Sequence, residues 1–434
     1  MSLLSFEGSL STGMLNYFQF FKLYINSKTT IMKLLYFLLI TILLNVGCSP
    51  TPVRLIQRAS VQTKAFKQTI PCETSKRLLI VNMKLPNNRT YRFIWDTGAD
   101  ATVISQKLAN ELGLKAATQM IVVGARKKEQ KQNIVNLKQV EIGSVKFKNI
   151  AAFVIDFPEE SAISCVADGG IIGANLISKC NWIIDYEKQQ LTLTSTPFNL
   201  HKNRQAIPFK TNFAGRIFFD AELAGLPFKN ILLDSGSGGS LDLKTNEGIK
   251  SGILKKFPSN KVIDGTTQGI YGSNLDTTYR ALVDSFKVGN YTLPRIPVEF
   301  GELESTKIGN VILQNFKIQF DFAHKYMLWQ PRNTSIAPSI TLGVLFTRAQ
   351  NGKVRIGSLY QPSDAALQGL KIQDEIVAIN DQPVETLFKD KCHFYQWMFR
   401  MKELKQMKLT LKNKPPVLLK PKPLARKFWW GTQD

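Results

Sequence analysis

The chain has 434 residues, 44% of them hydrophobic, with 56 Lys and Arg against 33 Asp and Glu for a formal charge of +23. That length and apolar content exclude a largely disordered chain and allow two or three compact domains, each with its own core. The basic excess suits an anionic neighbour such as a membrane surface; the basic residues are spread along the chain without a helix-turn-helix, zinc-finger or RNA-binding signature, so nucleic acid is not expected as a partner.

Near the start, Met32-Lys33 precedes an apolar run from Leu34 to Val46 that closes on Gly47-Cys48-Ser49-Pro50. A positive end, an apolar stretch too short to span a bilayer comfortably and small residues at its exit make a secretory signal. Residues 1–47 therefore read as an N-terminal extension and signal peptide. Leu44-Asn45-Val46-Gly47-Cys48 resembles a bacterial lipobox, with Asn45 where an aliphatic residue is usual. The resemblance implies a diacylated Cys48 and a chain lipid-anchored to the membrane of a bacterial cell envelope, facing the periplasm or the cell surface; a plain signal peptide or a membrane anchor is the alternative. Residues 48–75 show no sustained apolar period and read as a tether. Cys72, Cys165, Cys180 and Cys392 make an even number in an exported chain, which permits a disulfide but leaves three connectivities open. His201, His324 and His393 are far apart and no zinc spacing is present, so neither a metal nor a cofactor is expected.

From residue 76 the pattern is one of short strands. Leu78 to Leu85 runs into a turn at Pro86–Asn88, and Tyr91 to Trp95 returns, as in a hairpin, to Asp96-Thr97-Gly98. A second copy repeats the plan: Gly215 to Ala224, a turn at Gly225-Leu226-Pro227, then Phe228 to Leu233 into Asp234-Ser235-Gly236. At nearly the same distance after each tripeptide comes a second shared pattern, Ile171-Ile172-Gly173-Ala174-Asn175 and Lys307-Ile308-Gly309-Asn310. Each of those glycines is followed, at equal intervals, by an aspartate, Asp185 or Asp321. A single Asp-Thr-Gly reads as a turn, because all three residues favour turns. Two in matched frames read as an internal duplication. Val135 to Ile142 and Tyr279 to Val288 are further β-type runs, and residues 197–212 join the halves. Asp185 and Asp321 read as strand-end turn residues outside the chemistry.

The paired tripeptides resemble the active-site loops of retropepsin-like and pepsin-like aspartic proteases, over the stretch from Leu78 to Trp329. The resemblance implies a mainly β fold, with two tandem retropepsin-like β-barrel lobes at residues 76–200 and 201–332 forming a bilobal body, and an aspartic endopeptidase acting on a protein or peptide substrate. Asp96 and Asp234 are then the catalytic pair. Two carboxyls about 3 Å apart cannot both ionise, so they share one proton. One takes a proton from water while the other protonates the peptide carbonyl. Gly98 and Gly236 let backbone amides approach those carboxylates closely. The resemblance further implies that the Thr97 and Ser235 hydroxyls bond across the lobe boundary, and that Ile172-Gly173 and Ile308-Gly309 form the hydrophobic-glycine element of each lobe. It also implies a hairpin flap over the cleft, for which Val122-Val123-Gly124-Ala125 and Asp264-Gly265-Thr266-Thr267 are the candidates. Lys307 stands where an apolar residue is usual and makes the second lobe the weaker match.

After Pro331 the pattern changes. Leu342 to Phe346 opens a strand, Val354 to Leu359 forms another, Ser363 to Leu367 a short helix, and Gly369 to Asn380 a turn and β-rich run. Thr386 to Met401 looks helical and Met407 to Leu411 closes with a strand. This order, and Gly369-Leu370-Lys371 leading into Asp374-Glu375-Ile376-Val377, resembles a PDZ domain. The resemblance implies a PDZ-like α+β domain over residues 335–415 that binds a peptide ligand or substrate C-terminus by strand addition, with Leu342-Gly343-Val344 as its carboxylate-binding loop. Gln373 replaces a usual glycine, and the loop lacks the usual aromatic residue. Residues 416–434 read as a basic aromatic tail, frayed or seeking a membrane surface. The rival to a protease is a non-catalytic envelope scaffold or peptide-binding lipoprotein on a degenerate protease fold, which Lys307 and Ser237-Gly238-Gly239-Ser240 favour.

Overall fold

In the first half, the strands Leu78–Lys84 and Thr90–Trp95 pair as an antiparallel hairpin, and Asn88 takes the left-handed conformation at its turn. These belong to a nine-stranded sheet that also holds Thr102–Ser105, Thr118–Val123, Glu129–Ile142, Val145–Ile155 and Gly170–Ile172. The structure is a computed structural model that describes residues 51–423 apart from 125–126, 159–160, 267, 274, 335 and 337–339. It is mainly β. The signal segment, Cys48 and the end of the chain from residue 424 lie outside the described residues.

The second half follows the same order. Ile217–Leu223 and Leu226–Leu233 form a hairpin, with Ala224 and Gly225 both at positive φ as a two-residue turn requires. In both halves the strand leading to the aspartate is flanked in the same way. Gly170–Ile172 runs parallel to Phe93–Trp95 and antiparallel to Val103–Ile104. Lys307–Ile308 runs parallel to Leu232–Leu233 and antiparallel to Leu241–Asp242.

A six-stranded sheet ties the halves together by pairing Asn181–Asp185 with Phe316–Asp321, so that Trp182 faces Phe320 in register. Trp95, Trp182, Phe320 and Trp329 are all fully buried in one apolar core that spans both halves. Residues 51–75, expected to be a tether, are instead part of this body. Pro52–Gln57 is a helix, started by Thr51 and the proline at its first position, and Leu55 and Ile56 on it are buried. Lys67–Pro71 adds a strand to the six-stranded sheet beside Gln190–Thr194. Elements this short carry no readable period.

The C-terminal segment has its own core, from Leu342 to Leu419. Its strand Val354–Gln361 also pairs with Ser259–Asp264 of the second half, so the large sheet continues across the junction. The expected helix from Thr386 divides into Val384–Leu387 and Lys391–Arg400. The second starts late because the Asp390 carboxylate accepts from the backbone amides of Cys392 and His393 at 2.7 and 2.9 Å, a side-chain cap. Part of the expected tail is folded: Lys414–Leu419 pairs with Met407–Leu411, and Lys422–Pro423 with Ile340–Thr341. One disulfide, Cys165–Cys392, joins the first half to the Lys391–Arg400 helix, while Cys72 and Cys180 are buried free thiols. Among the described residues no helix is long and apolar enough to cross a membrane.

Candidate active site

Each aspartate sits where its strand ends. The Asp96 amide donates to the Ile172 carbonyl at 3.0 Å and the Asp234 amide to the Ile308 carbonyl at 3.0 Å, so the Ile-Gly strands fix where the two turns begin. Gly98 and Ala99 donate to Asp96 Oδ1 at 2.7 and 3.1 Å, and Gly236 donates to Asp234 Oδ1 at 3.0 Å.

The two turns meet. A methyl group added to Gly98 would collide with the Asp234 carboxyl, and one added to Gly236 with the Asp96 carboxyl. Each glycine therefore leaves the space that the opposite acid fills. The two carboxyls are near enough for Asp234 to act on the ionisation of Asp96. Gly173 and Gly309 are crowded in the same sense, the first against the Ala101 backbone and the second against the Gly239 and Ser237 backbone.

The Thr97 and Ser235 hydroxyls do bond across the junction. The Thr97 hydroxyl donates to the Leu233 carbonyl at 2.6 Å and the Ser235 hydroxyl to the Trp95 carbonyl at 2.8 Å. In return the Thr97 amide donates to Ser235 Oγ at 3.0 Å and the Ser235 amide to Thr97 Oγ1 at 3.1 Å. Both side chains are buried.

Further residues support the turns, among them the asparagines of the two shared patterns, to which the sequence assigned no role. Asn310 donates to the Ser235 carbonyl at 2.7 Å and accepts from the Tyr186 hydroxyl at 2.8 Å. Asn175 accepts from the Thr102 amide and donates to the Ala151 carbonyl. Arg77 of the first half donates to the Gly238 carbonyl at 3.2 Å, and Arg216 of the second half to the Gly98 carbonyl at 3.5 Å. Arg216 also pairs with Asp100 and Glu304. The signal was present in the sequence: each arginine stands immediately before the first strand of its hairpin.

Lys307 is the largest departure from the expected pattern. Its Nζ lies 2.8 Å from Asp234 Oδ2, and both side chains are largely buried. Burial alone would lower the Lys307 ammonium, but Asp234, Asp242 and Asp96 outweigh it and hold the group charged. Burial and then the neighbouring Asp234 push the Asp96 carboxyl up to about 7, against the opposing pull of the Gly98 amide and Lys307.

Hairpins from both halves meet near these turns. Gly124, in the turn between Thr118–Val123 and Glu129–Ile142, packs against the Tyr271 ring, and Lys128 donates to the Tyr271 carbonyl at 3.1 Å. Ile270 and Tyr271 join the apolar cluster that includes Ala99 and Val122. Val122 to Gly124 thus lies in a hairpin as expected, with Ala125 outside the described residues. The second expected flap is displaced. Asp264 and Thr266 bond to Ser358 of the C-terminal segment, and the hairpin tip lies later, where Gln268–Gly269 pairs with Gly272–Ser273; Thr267 is outside the described residues.

Asp185 and Asp321 are turn residues, accepting from the Lys188 and His324 amides. In the C-terminal segment, Leu342 and Val344 are buried and Gly343 takes φ +83°. The Gly343 amide already donates to Thr341 Oγ1 at 3.0 Å, and its carbonyl accepts from the Tyr360 amide at 2.9 Å. Lys420, Lys422 and Pro423 line the space beside this loop.

Residues 81–176 match the family model described as aspartyl protease, a span that contains Asp96 and Gly173. The chain contains an aspartyl protease-like domain. The match stops short of Asp234 and the second half of the body. A crystal structure of an aspartic proteinase from Irpex lacteus is similar at 12% identity, covering 63% of this chain and 99% of the other with a TM-score of 0.38. No curated protein matches the chain.

Proposed function

We propose that the chain is an aspartic endopeptidase with a two-lobed body, in which Asp96 and Asp234 jointly activate one water molecule. The observation that carries this reading is the reciprocal fit of the two turns, with each acid in the space left by the other's glycine. Two carboxyls so placed hold one proton between them. The carboxylate takes a proton from water as its oxygen bonds to the peptide carbon, and the protonated acid gives its proton to the carbonyl oxygen. As the tetrahedral species collapses, the first acid protonates the leaving nitrogen while the second recovers its proton from the hydroxyl. One water is consumed, one C–N bond breaks, and the pair returns to its starting state.

The C-terminal segment is proposed as a PDZ-like peptide-binding domain. Among the described residues the strand Val344–Arg348 pairs with Val354–Gln361 alone, and it runs beside the Lys391–Arg400 helix, with Phe346 stacked near Trp397. An extended peptide would add to that strand. Lipid anchoring at Cys48, and with it an envelope location, is likewise proposed from the sequence alone.

The test uses the chain from Thr51 onward, since that stretch is one compact unit and a later start would delete buried Leu55 and Ile56. Incubated with denatured protein from acid to neutral pH, it is expected to cleave, with Asp96→Asn and Asp234→Asn each slower by about 10²–10⁴-fold or more. Cleavage that survives both substitutions excludes the pair. No cleavage by the wild type at any pH favours the scaffold reading.

A further inference from the structure

The two halves differ at one cross-strand position beside the two acids. In the first half Ile171 lies beside Ile94, two residues before Asp96, and faces Val103 across the neighbouring strand. In the second half Lys307 lies beside Leu232, two residues before Asp234, and faces Asp242. An apolar pair, Ile171 and Val103, both buried, is thus replaced by a lysine and an aspartate in the same frame. The lysine is turned toward the catalytic pair, with its Nζ 2.8 Å from Asp234 Oδ2, while Asp234 Oδ1 accepts from Gly236. Among the described residues no cation pairs with Asp96, whose Oδ1 is held by two backbone amides.

We propose that Lys307 is a positioning residue that breaks the symmetry of the carboxyl pair, holding Asp234 as the carboxylate and leaving the shared proton on Asp96. The proposal rests on the protease reading for its catalytic meaning: Asp234 would be the group that takes the proton from water, and Asp96 the group that protonates the carbonyl. A proton on Asp96 halves the negative excess around Lys307. One ammonium faces Asp234, Asp242 and Asp96, and with Asp96 protonated two anions remain. The other charged groups near the turns are already engaged: Arg216 with Asp100 and Glu304, Arg77 with the Gly238 carbonyl, and Glu247 with the Thr306 hydroxyl. Lys76 lies over the Tyr395 and Phe399 rings. The raised Asp96 carboxyl agrees with the assignment.

A cation in contact with a carboxylate lowers its titration by about 1–3 pH units. Removing it therefore moves the titration of the pair upward. The informative variant is Lys307→Ile with Asp242→Val, which restores the apolar pair that the first half uses and keeps the site packed. Lys307→Arg keeps the charge. The full chain, labelled with ¹³C at aspartate carboxyls and assigned with Asp96→Asn and Asp234→Asn, is titrated by NMR. The wild type and Lys307→Arg are expected to ionise Asp234 first. The double variant is expected to shift the lower step up, by less than the roughly 1–3 units that loss of a lone cation gives because the Asp242 anion leaves with it, and the acid limb of cleavage is expected to move in the same direction. An unmoved lower step in folded double variant, or a wild type in which Asp96 ionises first, overturns the proposal. A chain that shows the titration shift yet cleaves nothing supports the Lys307 assignment and sinks the protease reading.

Discussion

Ser235 shows how much of the site rests on single polar atoms. Its buried hydroxyl donates to the Trp95 carbonyl and accepts from the Thr97 amide. Ser235→Ala removes both bonds and strands two buried backbone groups, at a cost of about 1–3 kcal/mol. Urea unfolding is expected to show that loss, whereas Ser235→Thr is expected to retain much of it; an unchanged midpoint for the alanine variant would contradict the reciprocal grip. At this scale the sequence was informative where residue type dictates chemistry. That Asp96, Asp234 and their glycines come together was legible because the two turns stand in matched frames. Lys307 was visible as an oddity, but its meaning depends on Asp242 across the strand, and a cross-strand partner cannot be read from a linear chain.

The elements fall into place where period or turn chemistry is strong. The Leu78–Lys84 and Thr90–Trp95 hairpin, its second-half counterpart and the strand order after Pro331 all matched the expected runs. Pro52–Gln57 and Lys67–Pro71 did not, because a six-residue helix and a mostly exposed strand take their stability from the body they join. The Cys165–Cys392 disulfide was also beyond the sequence, since spacing leaves connectivity open. It fastens the Lys391–Arg400 helix to the first half, while the Val354–Gln361 strand fastens the same segment to the second. Cys392→Ser is therefore expected to loosen the helix, not to release the segment. Hydrogen exchange should rise in residues 391–400 and stay low in 354–361, with an overall loss of about 2–4 kcal/mol. Equal exchange gains in both elements would show that the strand pairing does not hold on its own.

At the scale of the whole molecule, two halves joined by a shared sheet and core bring two acids together at their junction. A folded state that does so must tolerate a buried carboxyl that keeps its proton. Burial, with Asp234 adding to it, pushes Asp96 up to about 7, well above the value of about 3.9 expected in an unfolded chain. Between those values the folded state binds the extra proton, so the contribution of Asp96 to stability is fully present below about 4 and lost as pH rises through about 7. Other carboxylates shape the pH profile too. Asp321 is held below its ordinary range: burial opposes this, but bonds from His324 and Leu200 prevail. Comparison with Asp96→Asn removes such common terms. The decisive measurement is the unfolding free energy of the wild type and Asp96→Asn across pH 4 to 8. The variant is expected to gain on the wild type as pH rises from about 4 to about 7, and to gain less when Asp234→Asn is also present. A difference that stays flat with pH, or one that Asp234→Asn leaves unchanged, would contradict a proton shared between Asp96 and Asp234.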